Sequence, residues 1–238
     1  MIFKQLFDDK SSTYTYIVAS GKGREALIID PVIEHTYIYT DLLNDLDLRL
    51  VKVIDTHIHA DHISAMAELK ERTNCQTVMG EHSKSEVVNL KVKDNDKIII
   101  DGINLEALYT PGHTDDSYCF LMNDRIFTGD TLLINGTGRT DFQNGSASDA
   151  YDSLFNKVLK LPEETLVYPA HDYKGNQFST IGSEKKNNPR LQVNSAAEYA
   201  EIMDNLNLAN PKMMDVAVPA NLKGQTLKTW KIIINLFL

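Results

Sequence analysis

The sequence predicts an α/β (α+β) fold, an αββα sandwich in which two sheets pack face to face with helices on the outside. Short runs rich in β-branched and aromatic residues alternate with amphipathic helical stretches. The alternation comes in two similar blocks, each opening on strands, as two layered sheets require. Residue types that ligate metals recur just past strand ends, and in a sandwich such ends can meet at one rim.

Residues 14–20 and 25–30 are apolar runs joined across Gly21-Lys22-Gly23 and read as an antiparallel hairpin. Residues 35–46 place Ile38, Leu42, Leu43 and Leu46 at helical spacing, and residues 50–55 form a compact apolar strand that stops where a run of histidines begins. Residues 61–72 then read as a helix with Met66 and Leu69 in its core face. The second block predicts strands at 76–79, 97–100 and 104–109, then 117–122 and 125–128 around a turn at Asn123-Asp124. A helix over 148–160 and a strand over 165–168 follow. Residues 174–194 are a polar stretch, and Ser195-Ala196-Ala197-Glu198 is a capping box that starts a helix. One domain over 1–238 is expected, with a short C-terminal extension after about 174. The apolar tail 230–238, broken by Lys231 and Asn235, reads as a strand or ordered end. It is too short for a membrane span, which needs about 20 apolar residues.

A chain of 238 residues with 42% hydrophobic and 24% charged residues can bury a core without disulfide staples. Its 24 basic and 33 acidic residues leave a net charge of -9, which argues against nucleic acid or an anionic membrane as the main partner. An anionic substrate would therefore have to meet a local basic pocket. Cys75 and Cys119 form no CxxC pair and are expected to be small apolar fillers. The N-terminus reaches Asp8-Asp9 before a long apolar segment can form, so no secretory signal is read and a cytoplasmic location is expected.

Thr56-His57-Ile58-His59-Ala60-Asp61-His62 crowds three imidazoles and a carboxylate directly after a strand. Neutral imidazole and carboxylate are the usual ligands of zinc, iron and similar cations, and a loop between strand and helix can aim several at one point. His57 and His59, two apart on an extended segment, share a face. Asp61 and His62, at the start of the expected helix, approach from the side. His113, Asp130 and His171 each follow another strand, in Pro111-Gly112-His113, Thr128-Gly129-Asp130 and Pro169-Ala170-His171. His35 and His82 lack such a context and are expected at the surface or at a helix cap. Asp94, Asp96 and Asp101 have no compact ligand-loop pattern around them and read as a solvated face.

Together these residues are similar to the motif set of the metallo-β-lactamase superfamily, from the N-terminal strands to about His171. Within it, two branches that act on glutathione-linked substrates fit: glyoxalase II, a hydroxyacylglutathione hydrolase, and persulfide dioxygenase, the sulfur dioxygenase of the ethylmalonic encephalopathy protein family. The first motif resembles the T-H-x-H-A-D-H of the dioxygenases, whereas glyoxalase II usually has a third His in place of Ile58. Gly138-Arg139-Thr140-Asp141-Phe142-Gln143 resembles their GRTDFQ segment, and His171-Asp172-Tyr173 their HDY. Asn188-Pro189-Arg190 with Val218-Pro219-Ala220-Asn221-Leu222 looks like their closing segment, although Lys223-Gly224 stands where a Cys-Gly pair is expected. The 67 residues after His171 are few for the helical glutathione-binding domain of glyoxalase II.

The resemblance to the dioxygenases implies one Fe(II) per chain held by His57, His113 and Asp130, with His59, Asp61, His62 and His171 around it to orient ligands or bind solvent. It implies a reaction of glutathione persulfide with dioxygen that yields sulfite and glutathione, in sulfide detoxification. Arg139, Tyr173 and Arg190 match positions associated with substrate binding, Lys185 and Lys186 add positive charge, and a homodimer is compatible with the family. The sequence also keeps every ligand of a two-metal hydrolytic site, in which Asp130 would bridge two ions and a shared hydroxide would attack a thioester. The hydroxyacylglutathione hydrolase alternative therefore stays open at this level.

Overall fold

In the computed structural model, which describes residues 1–211 and 213–229, the apolar alternation of the strands sorts into two six-stranded sheets. The first sheet runs β1 (Ile2–Asp8), β2 (Thr13–Ala19), β3 (Glu25–Ile29), β4 (Arg49–Ile54), β5 (Gln76–Gly80) and β6 (Leu90–Val92) in that spatial order. β1 to β3 form an antiparallel meander, and β3 to β6 are parallel. Parallel neighbours need crossovers, here through α1 (Thr36–Asp45) from β3 to β4, through α2 (Met66–Thr73) from β4 to β5, and through the loop 81–89 from β5 to β6. The second sheet runs β12 (Ser179–Thr180), β11 (Leu166–Pro169), β10 (Arg125–Gly129), β9 (Tyr118–Leu121), β8 (Ile103–Tyr109) and β7 (Lys97–Ile100), antiparallel except between β10 and β11. Its helices are α3 (Ala147–Asp152), continued by one π-helical and one 3-10 turn to Lys160, then α4 (Ile181–Asn187) and α5 (Ala196–Asp204). α6 (Met214–Lys223) closes the described chain against the first sheet.

Side-chain alternation along each strand makes the layers. Tyr16, Val18, Leu27, Ile29 and Ile54 of the first sheet meet Leu105, Ala107, Phe120 and Phe127 of the second in a central core. Their sequence neighbours point the other way. Ile17, Ala19, Ile28 and Val53 pack under α1, α2 and α6, while Leu108, Cys119, Ile126 and Val167 pack under α3 to α5. Strands with both faces buried read as near-continuous apolar runs, which is why residues 14–19 and 26–29 stood out so clearly. At β4 the register against β3 slips: Ala26 faces Leu50 but Leu27 faces Lys52, so Val51 is an extra residue. That bulge lets Leu50 and Val53, three apart, both face the outer helices.

The sandwich, the 14–30 hairpin and the strands of the second block are as the pattern predicts, within a residue or two at the ends. Residues 61–65 differ: they are not the first turn of a helix, which begins at Met66. Their backbone donors and acceptors are claimed from outside. Ala65 N–H donates to Pro31 O, Ser64 N–H to the Asn221 side chain and Ile33 N–H to Ile63 O, so no helical ladder forms. The polar stretch 174–194 hides β12 and α4, whose N-cap Thr180 accepts from Ser183 N–H. In the capping box, Ser195 accepts from Glu198 N–H as expected, but the Glu198 carboxylate reaches back to Asn194 N–H. The tail 230–238 lies outside the described residues. Among the described residues, no helix is long and apolar enough to cross a membrane.

Candidate metal centre

Each ligand-type residue follows the C-terminal end of its strand, and these ends meet at one rim because β3 and β4, and likewise β8, β10 and β11, run in common directions. The two sheets are stitched there by backbone bonds, Tyr14 N–H to Ala170 O at 2.7 Å and Tyr118 N–H to Thr56 O at 2.9 Å, while Ala170 N–H to Gly129 O at 2.9 Å continues the β10–β11 pairing within the second sheet. His57, His59, Asp61, His62, His113, Asp130 and His171 all come together at this seam.

They divide into sets. His57, His113 and Asp130 offer ligand atoms that lie within 4.8 Å of one another. His113 Nδ1 donates to Arg139 O at 2.7 Å, which leaves Nε2 with its lone pair facing Asp130 Oδ2 at 3.5 Å. The Thr56 hydroxyl donates to Asp30 Oδ2 at 3.0 Å and so must accept from His57 Nδ1 at 3.0 Å, again leaving Nε2 free to ligate. Burial, then the neighbouring imidazoles of His59 and His113, push His57 well below its ordinary value, so it stays neutral. For Asp130, burial works against ionisation. The charge and hydrogen bond of His171, then His113 and His57, outweigh it and hold the carboxylate well below its usual range. Two imidazoles and an ionised carboxylate, each fixed by an outer partner, fit a divalent cation.

His59, Asp61 and His62 form a second group of the same kind. His59 Nε2 donates to Asp30 Oδ1 at 3.1 Å. Burial opposes its protonation, yet the Asp30 carboxylate pushes it up to about 9. His62 Nδ1 lies 3.0 Å from Asp61 Oδ2, and burial lowers its basicity. His59 Nδ1 and His62 Nε2 are buried with no hydrogen-bond partner among the described residues. His171 belongs to neither set. Its Nδ1 meets Asp130 Oδ1 at 2.6 Å and its Nε2 meets Asp61 Oδ2 at 2.8 Å. Burial disfavours the imidazolium, but these two carboxylates raise His171 well above its ordinary value, making it a cationic bridge.

The seam opens into a cavity of about 820 Å³ whose wall includes His57, His113, Asp130, Arg139, Tyr173 and Arg190. Tyr173 is exposed, with its ring parallel to that of His171 at 6.2 Å. Arg139 is already engaged: it forks onto Asp141 at 2.6 and 2.7 Å, donates to Ala209 O at 2.7 Å and lies over the Phe142 ring at 4.4 Å. Arg190 donates to Thr137 O, and no carboxylate pairs with it among the described residues. Lys185 faces Glu163 at 3.9 Å, and neither Lys185 nor Lys186 lines this cavity; Lys10 and Lys174 do.

Several residues that build the site were missed in the sequence. Asp30, in left-handed backbone at φ 50°, also accepts Thr56 N–H at 2.7 Å and so serves His57 and His59 at once. Asp55, fully buried, is pushed up to about 7, first by burial. Both directly follow apolar strands, so the rule that singled out Asp130 would have found them. Thr13, at 3.1 Å from His171 Nε2 and 3.2 Å from Asp61 Oδ2, carries no such signal. Outside the site, His35 stands at the N-cap of α1, as expected, with its ring paired to Asp8 at 2.7 Å and not to the helix backbone, and His82 is an exposed ring stacked on Tyr109. Cys75 and Cys119 are buried and free.

Residues 8–171 match the family described as "Metallo-beta-lactamase superfamily". The chain is similar to "Persulfide dioxygenase ETHE1, mitochondrial" of Mus musculus, 42% identical over 226 residues that cover 94% of this chain and 88% of the mouse protein. It is similar to the crystal structure of ETHE1 from Myxococcus xanthus, with 50% identity, a TM-score of 0.91, and coverage of 93% of this chain and 98% of that chain. A "probable hydroxyacylglutathione hydrolase" of Schizosaccharomyces pombe is 30% identical over 237 residues, 85% of this chain and 90% of the yeast protein.

Proposed function

Because the chain belongs to the persulfide dioxygenase family within the metallo-beta-lactamase superfamily, we propose that it oxidises the terminal sulfur of glutathione persulfide with dioxygen. One water cleaves the S–S bond of the oxidised persulfide, so that the products are sulfite and glutathione, and the centre is one ferrous ion held by His57, His113 and Asp130. The observation that carries this reading is the partition of the rim: these three side chains converge as one facial set. His171 meanwhile spends both ring nitrogens on Asp130 and Asp61. A ferrous ion in such a set supplies a redox-active centre with open positions for sulfur and dioxygen.

The chain's own residues hold, screen and orient. The cationic His171 keeps Asp130 ionised and fixes one of its oxygens, leaving the other toward His57 and His113. Asp30 through Thr56, and the carbonyl of Arg139, present the ring nitrogens of His57 and His113 in one tautomer each. Arg190 is the guanidinium on the cavity wall best suited to grip a glutathione carboxylate, because its fork is not taken by an acid among the described residues. Arg139 serves the substrate by pinning the 208–209 segment that walls the cavity, and Tyr173 covers the outer face of His171.

One observation favours thioester hydrolysis at two cations: His59 Nδ1 and His62 Nε2, gathered with Asp61, have no partner among the described residues. Metal analysis of protein purified under reducing conditions, together with oxygen uptake on glutathione persulfide, separates the two. One iron per chain with equimolar uptake of oxygen and release of sulfite is expected. Two metals per chain with turnover of a lactoylglutathione-type thioester would overturn the proposal.

A further inference from the structure

The loop that carries His57, His59, Asp61 and His62 is braced from two directions. Its first half leans on the strand ends through Asp30, Asp116 and Gln143, the last donating to Ile58 O at 2.7 Å. Its second half is bonded to the segment after β3, through Ile33 N–H to Ile63 O at 2.9 Å and Ala65 N–H to Pro31 O at 2.7 Å, and Thr13 of β2 donates to Asp61 Oδ2 at 3.2 Å. The carbonyls of His59 and His62 and the N–H of Ser64 are gripped by Asn221, a buried residue near the end of α6. Asn221 Nδ2 donates to His59 O and His62 O, each at 2.9 Å, and its Oδ1 accepts Ser64 N–H at 2.8 Å. Both amide protons and the amide oxygen are thus spent on three backbone groups of one loop, and the partners dictate which way the amide faces. α6 is itself anchored. Ala217 and Ala220 pack under the first sheet, Ser85 Oγ donates to Asn221 O at 2.8 Å, and Glu86 N–H donates to Leu222 O at 2.7 Å.

We propose that Asn221 is a positioning residue of the metal centre, through which α6 sets the placement of His59, Asp61 and His62. The influence reaches the candidate ligands by contact. The loop places Asp61, Asp61 holds His171 at 2.8 Å, and His171 holds Asp130 at 2.6 Å. Only the activity readout rests on the dioxygenase reading; the geometric claim does not.

The test compares N221D, nearly the same shape but unable to donate to two carbonyls, with N221S, which keeps one hydroxyl donor. A third variant, A217G, loosens the same helix while leaving the Asn221 hydrogen bonds to the loop in place. Imidazole resonances of ¹⁵N-histidine-labelled, metal-free protein are recorded, followed by kcat and KM. N221D is expected to shift and broaden the His59 and His62 ring signals while leaving His113, which hangs on the Arg139 carbonyl. Its kcat should fall about 10- to 100-fold, the scale of outer partners of metal ligands, with KM within about twofold. N221S should lie between N221D and the parent, and A217G should lower the melting temperature with its ring signals unchanged. Unaltered His59 and His62 signals in folded N221D, or the same changes in A217G, overturn the proposal; if N221D does not fold, N221S decides by the same criteria. Since the ring signals need neither metal nor turnover, a parent that takes up no oxygen would sink the dioxygenase reading and leave this test standing.

Discussion

Replacing Gly138 by alanine puts a single methyl group against the candidate metal centre. A Cβ at Gly138 would sit 2.2 Å from the Asp130 carbonyl oxygen and 2.8 Å from Cγ and Nδ1 of His113. Non-bonded heavy atoms need about 3.5 Å, so the 138–139 peptide must move by roughly 1 Å from the Asp130 carbonyl, or that carbonyl and the His113 ring must both move. Either movement breaks the 2.7 Å bond from His113 Nδ1 to Arg139 O and disturbs the one from Gly138 N–H to Asp130 O at 2.7 Å. Overpacking of this kind costs about 1–3 kcal/mol. A lost hydrogen bond adds about 1 kcal/mol, so the metal-free protein should lose about 2–4 kcal/mol of stability. With His113 free to rotate, metal affinity should fall about 10- to 100-fold. Urea unfolding of metal-free protein and a chelator competition measure the two effects. A variant with parental metal affinity and stability within about 0.5 kcal/mol, the ordinary scatter of harmless substitutions, would refute the argument.

Asp130→Ala is expected to lose metal and oxygen uptake together, because two imidazoles without their carboxylate hold a divalent ion poorly. His171→Ala should retain one metal per chain at saturating iron, with affinity lower by about 10- to 100-fold; metal counts per chain in both variants check this. Arg190→Ala should raise KM for glutathione persulfide about 10- to 100-fold at near-parental iron content, the equivalent of one charge-assisted hydrogen bond of about 1.5–3 kcal/mol. An unchanged KM removes Arg190 from the carboxylate site. Cys119 predicts an alkaline slope. Burial pushes its thiol up to about 11, whereas an unfolded thiol titrates near 8.5. The folded chain then binds the extra proton, so the contribution is complete below pH ~8.5 and is lost as pH rises toward about 11, at up to about 1.4 kcal/mol per pH unit. Urea midpoints at pH 8 and 10 should converge between parent and Cys119→Ala as pH rises, and parallel midpoints would contradict the burial argument.

Much of this protein could be read locally. Strands buried on both faces announce themselves as apolar runs, and the HxHxDH cluster, His113, Asp130 and His171 share one recognisable place, the loop that follows a strand. Short or polar elements were harder. β1 mixes Lys4 and Gln5 into an edge strand, β6 is three residues long, and α4 lies in a polar stretch whose start is a threonine cap. The 61–65 loop leads directly into the helix that begins at Met66, and its bonds to Pro31, Ile33 and Asn221 forbid the extra helical turn. The electrostatic detail of the site lay further from reach. Asp30 serves histidines 27 and 29 positions away, Thr13 meets His171 across 158 and Asn221 grips His59 across 162. The sequence by itself determined which residues alternate into two buried sheets and which ligand types stand at their ends, because periods of two and 3.6 are written in neighbouring positions. Only the tertiary structure decided how those ends gather His57, His113 and Asp130, and His59, Asp61 and His62, into separate clusters with His171 as a cationic bridge between Asp130 and Asp61. That division depends on strand register, the bulge at Val51 and hydrogen bonds between distant segments, which no local period encodes.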